Sequence, residues 1–192
     1  MAREATEEEA PFELAVVGEL TDHETDITDK LLAVPRGGEC TLYFDSPGGS
    51  PYTAIALANL ILVRRLRATG IVTGECSSAA LWPFAACQRR IVTPLSMALF
   101  HPMRWQSEEN VGIHEAAEWA RHFRVLEGDM DAMLAKLFHC DEKLMLEWSV
   151  PGRYVSGAEM AKAGIAELVE FFDLGKLELP GDPPSPKRAR KR

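Results

Sequence analysis

The stretch Cys40-Thr-Leu-Tyr-Phe-Asp-Ser-Pro-Gly-Gly-Ser50 places two glycines directly behind a short apolar run. Residues 40–44 predict a buried strand, and residues 45–50 are expected to break it. Glycine lets the chain turn with positive φ and lets a ligand approach the backbone. Exposed N–H groups in such a turn can stabilise an oxyanion. A phosphate-binding P-loop is excluded because no Gly-Lys-Ser/Thr follows. By itself the pattern is more often a plain turn.

Predicted strands and helices alternate on both sides of this stretch. Strands are expected at residues 12–20, 70–73, 91–93, 97–100 and 165–171, and helices at 26–34, 53–66, 79–87 and 114–140, with a short one ending at 163. Ser156 and Glu159 have the spacing of a capping box for that last helix. The alternation predicts an α/β fold with a largely parallel sheet and helices on its faces.

Length and composition fit one globular domain. The chain has 192 residues, of which 46% are hydrophobic and 26% charged, which excludes a fibre and a wholly disordered protein. We expect a domain over residues 11–175, a disordered acidic lead over 1–10 and a disordered Pro-rich, basic tail over 176–192. No apolar run reaches the roughly 18 residues of a membrane span, and the N-terminus is acidic, unlike a signal peptide. A cytoplasmic location is therefore expected.

Charge and cysteine content narrow the classes of partner. The net charge is −8, although the last six residues carry five positive charges. The acidic body argues against a nucleic-acid-binding domain. The tail is expected to be a solvated end, with nucleic acid or an acidic partner as the alternative. The four cysteines form no C-x-x-C pair, so reduced core thiols are expected and neither a metal nor a cofactor.

A serine and a histidine follow in chain order. Ser78 ends Gly74-Glu-Cys-Ser-Ser at a predicted strand–helix junction, where free N–H groups of the first helical turn favour negative charge. This setting suits a nucleophile beside an oxyanion hole, although ordinary N-capping by Ser77 or Ser78 is the simpler interpretation. His101 ends a predicted strand and becomes a candidate base only if it folds beside a nucleophile.

Taken together, these motifs resemble the proteolytic subunit of the Clp protease, in the ClpP/crotonase superfamily. The resemblance covers roughly residues 12–170 and is that of a divergent member of the family. Its matching stretches, in the order of the family, are FDSPGGS (44–50), GECSSAA (74–80), AACQRR (85–90), MALFHP (97–102) and YVSGAEMAKAGI (154–165).

The resemblance implies a fold, an activity and the residues of a site. The fold is a superhelix of repeated β-β-α units, and the long helix at 114–138 pairs two rings of a homo-oligomer. The activity is that of a serine endopeptidase on peptides or unfolded proteins, without a cofactor. Ser78 matches the nucleophile and His101 the general base. Gly49 and Ala79 match the residues whose N–H groups form the oxyanion hole.

One family position differs in a way that affects catalysis. The family has an aspartate two residues before an aromatic, here Tyr154, so that position is Gly152. Three alternatives follow: another carboxylate replaces it, with Glu147 nearest in sequence; a Ser–His dyad works slowly; or the chain is a non-catalytic scaffold or regulatory subunit. About ten residues precede the first predicted strand, so the family's gating segment is missing and an ATPase partner is doubtful. Pro83 is unusual in the helix behind Ser78.

Two other chemistries are less favoured. Crotonase-like acyl-CoA chemistry needs placed glutamates, and Glu75 is the only carboxylate inside the GECSS motif. A Ser–Lys dyad needs a lysine near Ser78, but the nearest in sequence are Lys30 and Lys136. Trp82 and Trp105 flank the site in sequence and are expected in the core, with a substrate pocket as the alternative.

Overall fold

The computed structural model describes residues 11–21, 25–104 and 110–182. The predicted acidic lead, Trp105 and most of the basic tail lie outside these residues. The described elements follow in chain order: β1 Phe12–Leu20, α1 Thr25–Ala33, β2 Glu39–Gly49, α2 Pro51–Val63, β3 Arg67–Cys76, a 3₁₀ helix Ser78–Ala80, α3 Leu81–Ala86, β4 Arg89–Val92, β5 Met97–Phe100, α4 Ile113–Phe138, α5 Glu142–Ser149, β6 Arg153–Ser156, α6 Gly157–Lys162, β7 Glu167–Leu168 and a second 3₁₀ helix Phe171–Lys176.

The described strands form one mixed, seven-stranded sheet. Its main path runs β1-β2-β3-β4-β7, and every pairing on this path is parallel. β5 branches from the end of β3 and pairs antiparallel with β6. The predicted α/β class with a largely parallel sheet is therefore confirmed. Because parallel strands end at the same edge, the segments that follow β2 and β3 are brought side by side.

The glycine motif is part of a strand. β2 continues through Asp45-Ser-Pro-Gly-Gly, so the prediction that residues 45–50 break the strand was wrong. The reason lies in the neighbouring strand: after a bulge, Gly48 and Gly49 pair with Glu19 and Leu20 of β1. The strand ends at Gly49, and the side chain of the next residue, Ser50, caps α2 by accepting the Thr53 N–H.

Other boundaries also differ from the sequence-based expectation. β3 spans ten residues where four were expected, because its first half pairs with β2. α5 and β6 were not predicted; α5 is short and is capped by Asp141, whose side chain accepts the Lys143 N–H. The strand expected at 165–171 is reduced to Glu167–Leu168. The predicted capping box at Ser156 and Glu159 is present.

The core lies between the sheet and helices that include α3 and α4. Phe84 packs edge-on against Phe44 of β2 and Phe138 of α4. Pro83 lies in the first turn of α3, where its missing N–H has no helical partner to lose, so it fits without ending the helix. Cys40, Cys76 and Cys87 are buried free thiols, as expected, and burial raises the pKa of Cys40 to about 11.

The long helix α4 is fully buried only near its C-terminal end. Its buried residues are Leu134, Ala135 and Phe138, in the last two turns. Upstream, Ile113 and Val125 are among its exposed apolar side chains. Among the described residues, none of the helices combines the length and apolar character that a membrane crossing requires.

Two glycines give a matched test of this packing. A Cβ on Gly70 would lie 2.9 Å from Phe84 Cδ2 and 3.0 Å from Cys87 Sγ, so Gly70→Ala should overpack the core and cost about 1–3 kcal/mol. A Cβ on Gly128, in α4, meets nothing within 4 Å, so Gly128→Ala should stabilise by up to about 1 kcal/mol. Urea unfolding of both variants measures the difference. Equal effects of the two substitutions would contradict this packing.

Candidate active site

Ser78 lies in a strained backbone conformation directly behind β3. It opens the 3₁₀ helix Ser78–Ala80 with φ of +54°, in the left-handed region that non-glycine residues seldom adopt. Such strain is characteristic of functional positions, including serine nucleophiles presented on a sharp strand-to-helix turn. The side chain is half-buried, so the hydroxyl remains accessible.

The neighbouring Ser77 has a structural role. It is buried, its Oγ accepts the Leu99 N–H of β5 at 2.9 Å, and its own N–H donates to the Ser46 carbonyl at 3.0 Å. The Ser77 side chain makes no capping bond to the 3₁₀ helix, and the residue at the N-cap of α3 is Ala80, so neither serine side chain serves as a helix cap. Ser77 therefore joins the ends of β2, β3 and β5, and Ser78 is left as the candidate nucleophile.

Gly48 brings the β2 end into direct contact with the serine. Its φ is +99°, and a Cβ there would lie 2.7 Å from Ser78 Cβ and 2.8 Å from the Ala79 nitrogen. Only glycine fits this approach. Ser46 fixes the turn: its Oγ accepts the Gly48 N–H at 3.2 Å and donates to the Gly18 carbonyl at 2.6 Å.

His101 follows β5 and is held by the next residue in the chain. Its Nδ1 lies 2.6 Å from the Pro102 carbonyl oxygen. A carbonyl oxygen only accepts, so this hydrogen bond requires a proton on Nδ1. In the neutral ring the lone pair is then on Nε2, the form in which that nitrogen can take a proton from a hydroxyl.

Gly152 lies beside His101, as its place in the sequence suggested. Phe100 pairs with Arg153 across β5 and β6, so the residue before β6 comes opposite His101. A Cβ on Gly152 would be 3.2 Å from His101 Cβ. The position holds no carboxylate, and its φ of +123° favours glycine. Glu147, the sequence-based candidate for a substitute, is exposed on α5 and does not line the cavity described next.

One cavity of about 270 Å³ brings the predicted site residues together. Ser78, Ala79, Gly49 and His101 all line it. Its apolar wall includes Leu81, Trp82, Phe100, Met103, Met130 and Leu134. Trp82 is thus both a core residue and part of the pocket, the two roles weighed for it from the sequence. The volume suits one or two side chains and not a folded domain.

Two carboxylates that the sequence analysis missed face the same cavity. Glu127 and Asp131 lie one turn apart on α4. Glu127 Oε1 accepts the Met103 N–H at 2.6 Å, and Asp131 Oδ1 accepts the Ser149 hydroxyl at 3.3 Å. The available signal was their i, i+4 spacing beside Met130, on the apolar stripe of this helix. Burial raises the pKa of Asp131, with the Ser149 bond acting against it and the charge of Glu127 adding to it.

The less favoured chemistries find little support in this arrangement. Glu75 is not among the residues that line the cavity, and no lysine is among them either. Lys30 pairs with Asp26 instead. Within the described residues, no group of three His, Cys, Asp or Glu side chains has the arrangement of a metal site.

Neither a family model nor a curated protein matches the chain.

Asp131 provides a test of the cavity electrostatics. Its raised pKa means that the folded state binds this proton more tightly than the unfolded chain, so its contribution to stability falls as pH rises above the ordinary Asp range. Asp131→Asn keeps an oxygen for Ser149 and removes the charge. We expect its Tm to exceed that of the unsubstituted protein at neutral pH, with a gain that shrinks below about pH 4.

The matched control is Asp129→Asn, which removes an exposed carboxylate from the same helix. Its Tm difference from the unsubstituted protein should not change with pH in this way. A loss of Tm for Asp131→Asn at neutral pH would contradict the assignment of a costly, half-buried charge.

Proposed function

We propose that this chain is a ClpP-like serine endopeptidase that cleaves peptides or unfolded proteins. Ser78 is the nucleophile, His101 the general base, and the N–H groups of Gly49 and Ala79 form the oxyanion hole. The observation that carries the proposal is the single cavity that these four residues line, with His101 oriented so that Nε2 is its accepting nitrogen. The ClpP/crotonase superhelix is part of the same proposal.

The first half of the reaction forms an acyl-enzyme. Ser78 Oγ attacks the peptide carbonyl carbon while His101 Nε2 takes the hydroxyl proton. As the tetrahedral intermediate collapses, the C–N bond breaks and the imidazolium returns that proton to the leaving amine. Ser78 lines the cavity with its backbone already in the left-handed conformation, so this turn need not form when substrate arrives, which lowers the cost of alignment.

The second half of the reaction hydrolyses the acyl-enzyme and releases the product that carries the new carboxylic acid. A water molecule gives a proton to Nε2 and its oxygen bonds to the acyl carbon. The Oγ–C bond then breaks, and Oγ recovers its proton from His101. In both halves the carbonyl oxygen carries negative charge, and each backbone donor at Gly49 and Ala79 is worth about 3 kcal/mol to the transition state.

The substrate must reach a small and partly enclosed cavity, which favours short or unfolded chains over folded ones. The acidic and apolar walls give the substrate side chain a mixed environment of Met130, Leu134 and Asp131. We further propose that the chain forms a homo-oligomeric ring through α4, whose exposed Ile113 and Val125 are candidate contacts. No ATPase partner is part of the proposal.

A non-catalytic scaffold is the second candidate, and Gly152 is the observation that favours it. Without a carboxylate beside His101, the imidazolium formed during the reaction lacks its usual partner. Loss of that partner costs on the order of 10⁴ in rate in a serine protease triad. Strain at Ser78 and the close approach of Gly48 favour the enzyme, because a scaffold has no need of either.

Labelling with a fluorophosphonate separates the two candidates. Ser78 Oγ should displace fluoride from the phosphorus, giving one adduct per chain by intact mass, at Ser78 by peptide mapping. Ser78→Ala should give none. His101→Gln should react far more slowly, because the hydroxyl loses its base.

Ser156→Ala is the matched control, since Ser156 caps α6 and lies in no part of the cavity. It should lose about 1 kcal/mol of stability and keep the adduct. Samples are first sized by sedimentation velocity, so that labelling is measured on the assembled form. Folded, assembled protein without an adduct would overturn the peptidase proposal and favour the scaffold.

A further inference from the structure

One peptide group connects His101 to a carboxylate on the long helix. The Pro102 carbonyl accepts from His101 Nδ1 at 2.6 Å, and the Met103 N–H donates to Glu127 Oε1 at 2.6 Å. This C=O and this N–H are the two ends of the same amide. The chain of bonds is therefore imidazole N–H to carbonyl, and amide N–H to carboxylate.

We propose that Glu127 is a positioning residue that acts on His101 through the Pro102–Met103 peptide, in place of the carboxylate missing at Gly152. The proposal rests on the proposed function, because it assigns the orientation and charge balance of its base. Glu127 touches neither substrate nor the reacting atoms in this role.

The physical basis is polarisation along the chain of bonds. A peptide group is conjugated, so a carboxylate that accepts its N–H shifts electron density toward its carbonyl oxygen. That oxygen becomes a stronger acceptor for Nδ1–H, as expected for hydrogen bonds linked in series in a low-dielectric site. Both the Nδ1–H tautomer and the imidazolium formed during the reaction are favoured as a result.

The placement of α4 makes this link specific to Glu127. Met103 is two residues beyond His101, and its N–H reaches the helix face that lines the cavity. Asp131, one turn further on the same face, accepts from Ser149 of α5. Arg104 is the cationic side chain among those lining the cavity, and it lies exposed at its edge.

The charge that stabilises the His101 imidazolium is therefore weaker than it would be with a carboxylate in direct contact with the ring. A carbonyl holds the ring in the required tautomer but carries no full charge, and the charge of Glu127 is one peptide group away. We expect catalysis slower than with a direct aspartate, yet faster than with the histidine alone.

The test compares two substitutions that differ in what they leave for the Met103 N–H. Glu127→Gln keeps an oxygen that can accept this N–H and removes the charge, whereas Glu127→Ala removes both. Two quantities are measured for each folded variant. They are the second-order rate of fluorophosphonate labelling at Ser78, and the His101 tautomer from long-range ¹H–¹⁵N correlations of its ring protons.

We expect Glu127→Gln to label roughly tenfold to a hundredfold more slowly and to show a larger share of the Nε2–H tautomer. Asp129→Asn, which removes an exposed charge from the same helix, should match the unsubstituted protein in both quantities. If Glu127→Gln matches the unsubstituted protein while Glu127→Ala is impaired, Glu127 only anchors the loop and the proposal is overturned. Equal behaviour of both Glu127 variants and the unsubstituted protein overturns it as well.

The tautomer measurement keeps this inference separate from the proposed function. If the unsubstituted protein takes no label, the peptidase proposal fails. The His101 tautomer still decides whether Glu127 acts through the peptide. If the unsubstituted protein is labelled at Ser78 but the His101 tautomer is unchanged in Glu127→Gln, the proposed role of Glu127 fails while the peptidase proposal stands.

Discussion

The close approach of Gly48 to the start of the 3₁₀ helix is the constraint on which the site depends. A side chain at Gly48 would overlap the Ser77 carbonyl and Ser78 Cβ, both 2.7 Å from the place of its Cβ. Because this position is a glycine, the end of β2 can lie against the end of β3. The Ser46 and Ser77 bonds then hold that contact closed. With the two strand ends fixed, Ser78, Ala79 and Gly49 line the same cavity as His101, which follows β5.

Much of this arrangement was accessible from the sequence, for a physical reason. Short-range signals indicate where strands end, and Ser78 and His101 both lie just beyond the end of a strand, β3 and β5 respectively. What local pattern could not give is which distant segment covers the site. Glu127 and Asp131 reach the cavity because the last turns of α4 pack on the core through Leu134 and Phe138. Their i, i+4 spacing could be seen in the sequence, but only the packing of α4 shows that they face the cavity. Likewise, the continuation of β2 through Pro47 is set by pairing with β1, which overrides the turn propensity of the motif.

No carboxylate stands at the position beside His101 that Gly152 occupies. The backbone at Gly152 adopts a φ of +123°, so an aspartate at this position would be strained. His101 is hydrogen-bonded to the carbonyl of Pro102, and α4 contributes two carboxylates, Glu127 and Asp131, to the same cavity. In the proposed reaction, a base oriented by a carbonyl and a remote carboxylate is expected to be weaker than the base of a triad. Under the proposed function, the lone pair on His101 Nε2 and the N–H groups of Gly49 and Ala79 would meet the two requirements of acyl transfer, a base and oxyanion donors.

The central claim is that Ser78 and His101 work as one unit, and a double-mutant cycle on substrate turnover tests it most directly. Hydrolysis of a fluorescein-labelled unfolded protein would be measured for the unsubstituted chain, Ser78→Ala, His101→Gln and the double variant. Residues that act as a unit are strongly non-additive, so the double variant should be no slower than the slower single variant. Losses that multiply, or turnover unchanged by Ser78→Ala, would contradict the account.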